Sequence, residues 1–145
     1  MIRRVAVLLC AALLLAACGS ITATQALTSW VKQSNFQVNS RSIVTDARHS
    51  ATALRRTNAT SADLHTLCAV LLDEVNQINA SLPTPDAQTT ALLSKSYTDL
   101  GAAANLCYRA GASTSARSRA VAKLTLGVSL LSEGLARVAT LSPQP

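Results

Sequence analysis

The sequence lacks the short motifs that mark the common catalytic and nucleotide-binding sites. It contains no HExxH pair for zinc, no glycine-rich phosphate loop, no GxSxG turn and no CxxC motif. His49 and His65 have no second ligand at metal-site spacing, so solvated helix positions are favoured over a site shared with Asp46 or Asp63. We therefore expect no enzyme activity, no cofactor and no metal.

Regular alternation of apolar and polar residues, the pattern of a half-buried strand, is also missing. Apolar residues recur instead at spacings of three and four in four segments, which turn residues separate. Short links between such segments are typical of helices that pack side by side in alternating directions. The sequence predicts an all-α fold, an antiparallel up-down four-helix bundle.

The apolar stretch near the start, residues 5–17, is too short for a comfortable membrane span. As a helix it would be about 20 Å long, against a hydrocarbon core of about 30 Å. It follows Arg3 and Arg4 and ends in small residues. This order is typical of a secretion signal.

The end of this stretch, Leu15-Ala16-Ala17-Cys18, resembles the lipobox of bacterial lipoproteins. The resemblance implies that Cys18 receives a diacylglyceryl group, that residues 1–17 are removed, and that the new amino terminus is often acylated, as with palmitate. Two or three acyl chains make a stable anchor in a lipid bilayer. The expected location is the cell membrane, facing outside the cytoplasm. An ordinary signal peptide and an uncleaved anchor are the alternatives.

Removal of the signal would leave one domain with a modest positive charge. Without Arg3 and Arg4 the 13 basic residues become 11 against seven acids, so the net charge falls from +6 to +4. That excess suits an anionic membrane or wall surface but is too small to indicate nucleic acid. We expect residues 18–25 to be a tether and residues 26–145 to be one helical bundle domain.

Each helical segment has its own apolar seam. The first segment, from about Ala26 to Arg56, is weak between Lys32 and Ser42, where a break is expected. The other seams are Leu64, Cys68, Leu71, Val75, Ile78 and Leu82, then Leu93, Tyr97, Leu100, Ala104 and Cys107, and finally Val121, Leu124, Val128, Leu131, Leu135 and Val138. Leu126 and Leu130 lie off the last seam and give that helix a second apolar edge.

Turn residues predict where these helices begin and end. The expected caps are Thr60 or Ser61 for the second helix, Thr84 for the third, with Pro85 at its first position, and Ser113 or Ser115 for the fourth. Gly111 is expected to stop the third helix in a left-handed conformation. Trp30, the only tryptophan, is expected to pack over the base of the bundle rather than rest at a lipid headgroup boundary.

The cysteines are consistent with an oxidising compartment. Cys10 would leave with the signal and Cys18 would be blocked by lipid, so Cys68 and Cys107 would remain as an even pair. A disulfide between them is favoured over two buried free thiols. Cys68 lies about 20 Å above the end of its helix and Cys107 about 32 Å above the start of its own. We therefore expect the link between the two helices to overhang the end of the first.

The mature segment resembles small secreted or lipid-anchored helical proteins of Gram-positive bacteria, which have no assigned activity. The resemblance lies in the Trp30 lead-in, in Cys68 on the second helix and Cys107 near the end of the third, and in the link at residues 82–86, Leu-Pro-Thr-Pro-Asp. It implies a helical bundle with a crosslink and leaves the function open.

A group of arginines is the main candidate binding surface. In an up-down bundle, the link between the first and second helices and the link between the third and fourth lie at the same end. Five arginines would collect there: Arg55, Arg56, Arg109, Arg117 and Arg119. The alternative is that those at helix carboxyl ends only complement the helix dipole, which does not account for Arg117 and Arg119.

Three function classes follow from these observations. The favoured one is a non-enzymatic interaction or accessory lipoprotein, anchored to the bilayer through Cys18, whose arginine cluster docks an anionic polymer, a phosphate-bearing ligand or an acidic protein. The second is a carrier of a small apolar ligand, for which Gly127 and the alanines of the third helix would leave room. The third is an enzyme. Nucleic acid is not expected as a partner, and the oligomeric state is left open.

Overall fold

The computed structural model describes residues 22–142, and within that range the chain forms five helices and no strand. The helices are α1 (Ala23–Gln33), α2 (Phe36–Arg55), α3 (Ser61–Asn79), α4 (Ala87–Arg109) and α5 (Thr114–Leu141). The predicted all-α fold is confirmed, with five helices where four were expected. The first helix begins at Ala23 rather than near Ala26. The predicted signal and Cys18 lie outside the described residues.

The first predicted helix is two helices because the chain turns at Ser34 and Asn35. Asn35 has a φ of 48°, in the left-handed region that asparagine tolerates better than most residues. The Ser34 amide donates to the Trp30 carbonyl and closes α1. The break expected between Lys32 and Ser42 is therefore confirmed.

Most helix ends lie where the local signals place them. Thr60 caps α3 in a reciprocal capping box with Asp63, and Ser113 caps α5. Gly111 follows α4 with a φ of 48°. These ends depend on contacts within three or four residues, which explains why the sequence predicts them well.

The prediction that Thr84 caps the third long helix is wrong, because Asp86 caps α4 instead. The Asp86 carboxylate accepts a hydrogen bond from the Thr89 amide at 2.7 Å and another from Arg137 Nε at 2.7 Å. Hydrogen bonding to Arg137, with a smaller effect from Thr89, holds the pKa of Asp86 well below its usual range. Thr84 is buried, and its hydroxyl bonds to Thr90 and to the Asp86 backbone.

The predicted seams of α3 and α4 are buried throughout, apart from Leu82, which follows α3 and is half-buried. The seam of α5 alternates: Leu124, Leu131 and Val138 are buried, and Val121, Val128 and Leu135 are half-buried. The proposed second edge of α5 is not part of the core, because Leu126 is 47% exposed and Leu130 is only half-buried.

The interface between α4 and α5 is the most extensive one between helices in residues 22–142. Leu93 packs over Gly134, and Leu100 packs over Gly127, where an added Cβ would lie 2.6 Å from Leu100 Cγ. Ser96, buried in the same interface, donates a hydrogen bond to the Gly127 carbonyl at 2.8 Å. The glycines therefore allow leucine side chains to lie against the α5 backbone.

The contacts of α4 with its neighbours also define chain direction. Asp86 contacts Arg137 near one end of the α4/α5 pair, and Asp99 contacts Lys123 farther along it. The later residue of α4 thus meets the earlier residue of α5, so these two helices run in opposite directions.

A disulfide joins Cys68 on α3 to Cys107 on α4, with a Cα–Cα distance of 5.9 Å. The predicted crosslink is confirmed, and both residues are fully buried. Asn79 lies eleven positions after Cys68, but Cys107 lies twenty positions after Ala87, a difference of about 13.5 Å in helix length. For helices that lie side by side, α4 therefore starts beyond the end of α3, as the expected overhang requires.

Helix α1 packs at this overhanging end. The Trp30 indole donates to the Ser81 carbonyl at 2.8 Å, and its ring lies 5.0 Å from that of Phe36. Thr28 bonds to Ser142, just after α5. The predicted packing of Trp30 over the base is confirmed, and α1 joins α2, the α3–α4 link and the end of α5.

Helix α5 is the one described helix long and apolar enough to span a membrane by length and composition, with a mean hydropathy of 1.3 over its most apolar window. The same composition suits a core helix. Helix α5 packs on α2 and α4 and is part of the helical core.

Alanine substitutions at two glycines, made separately, should distinguish the effect of close helix packing on stability from the effect of helix propensity. Gly127→Ala should lower the free energy of unfolding by about 1–3 kcal/mol, because Leu100 must move to accept the methyl group. Gly101→Ala should raise it by about 0.5–1 kcal/mol, since its Cβ meets Leu72 and Val75 at an ordinary 3.9 Å. Urea denaturation measures both values, and equal effects would contradict the α4/α5 packing.

Candidate functional site

The two links at the end opposite α1 are held together by one arginine. Arg117, in the first turn of α5, donates from Nε to the Gly111 carbonyl at 2.7 Å. Its Nη1 and Nη2 donate to the carbonyls of Arg56 and Ala59 at 2.8 Å and 3.1 Å. Arg117 therefore ties the α2–α3 link to the α4–α5 link, and the expected meeting of the two links is confirmed.

A groove of about 770 Å³ lies beside this tie, and we call it the basic pole. Three arginines line it, together with hydroxyl and small apolar side chains: Arg55, Arg56, Arg117, Thr57, Thr60, Ser61, Thr114, Ser118, Leu54, Ala59, Ala112, Val121 and Ala122. No acidic residue of the described chain is among them. The nearby Asp63 is engaged by Thr60, whose hydroxyl lowers the pKa of this carboxyl group.

Two helix amino ends reach the basic pole. Ser61 begins α3 and Thr114 begins α5, and both residues line the groove. The first turn of a helix carries a partial positive charge, which favours anions. Helix ends and arginines thus contribute the same sign of charge to this groove.

The structure brings together three of the five arginines predicted to cluster. Arg55 and Arg56 line the groove with Arg117. Arg109 bonds instead to the Asn105 carbonyl on its own helix, and Arg119 bonds to Ser115. None of the five forms a salt bridge within residues 22–142.

The structure also explains why an arginine lies at position 117, in the first turn of α5, where the helix dipole disfavours a positive charge. Its guanidinium bonds to backbone carbonyls of two links, so it has a positioning role that a sequence pattern does not reveal. The side chains of Arg55 and Arg56 are exposed, so they remain the arginines of the pole that face solvent most openly.

A second groove was not predicted from the sequence. It lies between α2 and α5, has a volume of about 390 Å³, and we call it the α2/α5 groove. Its lining consists of Ala47, Arg48, Ala51, Thr52, Arg55, Leu124, Thr125 and Val128. The signal for it was present in the sequence, because Arg41, Arg48 and Arg55 recur at intervals of seven residues.

The two histidines lie on different helices and in different surroundings. His49 Nδ1 is 3.7 Å from Asp46 on the same helix, and His65 stacks on Tyr108 with ring centroids 4.3 Å apart. Within residues 22–142, no group of three or more His, Cys, Asp or Glu side chains has a metal-binding arrangement.

Glu74 is the most perturbed carboxyl group between α2 and α3. Partial burial raises its pKa above the ordinary 4.5, the Ser42 hydroxyl that donates to Oε1 at 2.6 Å lowers it, and Asp46 and Asp73 raise it further. The second carboxylate oxygen, Oε2, is buried without a partner among the described residues.

No family model, curated protein or solved structure matches this chain.

Replacement of Arg117 should weaken the fold itself. Arg117→Ala removes three hydrogen bonds from a charged donor and should lower the free energy of unfolding by about 1–3 kcal/mol. Arg119→Ala, two residues away and exposed, should change it by less than about 0.5 kcal/mol. Chemical denaturation tests both, and an Arg117→Ala variant as stable as wild type would contradict the tie.

Glu74→Gln should stabilise the protein at neutral pH and not at acidic pH. A folded pKa above the unfolded one means that the folded state binds the proton more tightly, so stability falls as pH rises through the folded pKa. Glutamine keeps an oxygen for Ser42 and removes the partly buried charge. Thermal melts at pH 7 should give a higher Tm than wild type, with the gain shrinking towards pH 4.

The matched control for this change is Glu133→Gln on α5, which removes the same charge from an exposed position. It separates the local effect from the change in net charge. A Tm gain equal to that of Glu74→Gln, or a loss of stability in Glu74→Gln at pH 7, would show that Glu74 carries no burial penalty.

Proposed function

We propose that this protein is a membrane-anchored lipoprotein that acts outside the cytoplasm as a non-enzymatic interaction module. Its binding surface is the basic pole, and its partner is an anionic polymer or an acidic protein. The observation that carries the proposal is the convergence of Arg55, Arg56, Arg117 and two helix amino ends on one groove. Charge of one sign in a concave surface attracts and orients a partner of the opposite sign.

We also propose that α2 to α5 form an antiparallel up-down bundle, with α1 across one end. The opposite directions of α4 and α5 support this arrangement, as does the crosslink between α3 and α4. It is the arrangement in which the α2–α3 and α4–α5 links share an end, in agreement with the hydrogen bonds of Arg117.

The length of α5 supports an outward-facing pole. Its 28 residues rise about 40 Å, from Thr114 at the basic pole to the end that contacts α1. Four residue steps separate Cys18 from Thr22, which precedes α1, and they span at most about 14 Å. A lipid on Cys18 would therefore hold α1 near the bilayer and the basic pole far from it.

The alternative of a small apolar-ligand carrier gains no support from the α4/α5 interface. The space beside Gly127 is filled by Leu100. Of the alanines on or just after α4, Ala102 is half-buried, and Ala103, Ala104 and Ala110 are buried. The two grooves described above are open to solvent and bordered by arginines.

Binding of a labelled polyphosphate probe to the full acylated protein in detergent micelles tests the pole. Arg55→Ala with Arg56→Ala should weaken binding about tenfold, by the loss of two surface ion pairs, whereas Arg117 is kept because it holds the links. Added salt should weaken the remaining binding.

The control is Arg109→Ala with Arg119→Ala, which removes the same charge outside the groove. These two changes should leave the affinity within about twofold of wild type, since neither side chain lines the groove. Equal losses in both double variants, or binding that salt does not affect, would rule out the basic pole as the docking surface.

The anchor is tested by the mass of the protein in the membrane fraction. We expect a form that begins at Cys18 and carries the added mass of its acyl groups, which Cys18→Ala should abolish along with membrane retention. Recovery of the intact precursor, or of an unacylated form in the membrane fraction, would contradict the lipoprotein assignment.

A further inference from the structure

The floor of the α2/α5 groove is apolar and is formed in part by small side chains. Ala47 and Ala51 on α2 are buried, Leu124 on α5 is 1% exposed, and Val128 beside it is half-buried. The two alanines have side chains of a single methyl group, so a guest backbone can approach α2 closely. A surface of this kind accepts the apolar face of a helix.

One rim of the groove carries a row of positive charge. Arg48 and Arg55 line it, and Arg41 lies seven residues before Arg48 on the same face of α2. Successive guanidinium groups in such a row are about 10 Å apart along the helix. None of the three forms a salt bridge within residues 22–142, and the α5 rim offers the neutral Thr125.

We propose that the α2/α5 groove docks an amphipathic helix of a partner protein whose acidic residues recur every seven positions. Apolar side chains of the guest would lie on Val128, above the floor that Ala47 and Ala51 close, and its carboxylates would pair with Arg41, Arg48 and Arg55. This division between an apolar seam and a charged flank is the one used by helices that pair in coiled coils.

The row of three arginines, which extends past the groove to Arg41, sets the length of the guest. Arg41 and Arg55 are 14 residues apart, which is about 21 Å along α2. A guest helix of about four turns covers that distance and presents three carboxylates to the three arginines. The α5 residues that line the groove are neutral, so they do not repel the carboxylates of the guest.

Two other occupants fit the groove less well. A phosphate polymer would pair with the arginines but would gain nothing from the apolar floor, where burial stabilises an apolar guest by about 25 cal/mol per Å². A second copy of this chain lacks the acidic residues that would pair with the arginines, since no helix of residues 22–142 has two acidic residues seven positions apart.

The α2/α5 groove is largely separate from the basic pole, which is the binding surface of the proposed function. The two share Arg55, whereas Arg48 belongs to the groove and Arg56 and Arg117 to the pole. Variants at Arg41 and Arg48 therefore test this inference alone, and either proposal can fail while the other stands.

The test uses a synthetic, lactam-constrained 16-residue peptide with glutamates seven positions apart beside an alanine and leucine face. Binding to the full acylated protein in detergent micelles is followed by fluorescence anisotropy of the labelled peptide. Arg41→Glu with Arg48→Glu should weaken binding at least about tenfold, through the loss of two ion pairs and the gain of two repulsions. The same peptide with glutamine at the glutamate positions should bind as weakly.

Two further variants control for net charge and for folding. Arg109→Glu with Arg119→Glu makes the same change of charge outside the groove, so binding should stay within about twofold of wild type. Thr125→Glu places a repulsive carboxylate on the α5 rim without altering α2, and it should weaken binding even if the α2 double variant is less stable. Amide shifts in NMR spectra should concentrate at Ala47, Ala51, Leu124 and Val128.

Several results would overturn the proposal. They are equal losses in the two double arginine variants, an affinity unchanged by Thr125→Glu, and amide shifts confined to the basic pole. Polyphosphate that displaces the peptide and shifts the same floor amides would identify a polyanion site instead. Sedimentation that shows a dimer lost in the Arg41→Glu, Arg48→Glu variant would identify a second copy as the occupant.

Discussion

The interdigitation of α4 with α5 is the contact on which the other features depend. Leu93 and Leu100 are seven residues apart on α4, and they pack over Gly134 and Gly127, seven residues apart on α5. Because each leucine side chain lies against a glycine, α4 and α5 can pack in only one register. A slip of one residue would bring a Cβ against each leucine and would rotate α5 by about 100°.

That register carries over to the basic pole. Arg117 lies ten residues before Gly127, about 15 Å along α5, and its guanidinium meets three carbonyl groups on two links. A rotation of α5 would turn Arg117 away from these carbonyls and separate the links. The groove lined by Arg55 and Arg56 thus depends on leucine and glycine contacts in the middle of the molecule.

The two ends of the molecule have different chemistry because different elements close them. At one end, α1 covers the α3–α4 link through the hydrogen bond of Trp30 to Ser81 and through the contact with Phe36. At the other end the links are short, two helices begin there, and the arginines stay exposed. The crosslink at Cys68 and Cys107 joins α3 to α4 nearer the arginine-bearing end.

Sequence patterns were sufficient where the determinant is local. The caps at Thr60 and Ser113, the left-handed Gly111, the break after Lys32 and the seams of α3 and α4 each depend on spacing within one or two helical turns. Two local predictions were wrong. A capping box of Thr22 and Gln25 starts α1 at Ala23, inside the predicted tether, and Asp86 prevails over Thr84 as the cap of α4. Its carboxylate also binds Arg137, a residue 51 positions away.

Tertiary contacts decided the rest. Arg117 holds the two links together, whereas Arg109 bonds to a carbonyl of its own helix. The positions of the arginines in the sequence do not reveal this difference, because a guanidinium bonds to whichever carbonyls the fold brings within reach. The space expected at Gly127 is filled by Leu100, since a missing Cβ leaves room only until a neighbouring helix occupies it. By itself, the sequence determined that the chain is helical, crosslinked and basic. The packing of α2, α4 and α5 determined which arginines face a groove and which hold the backbone.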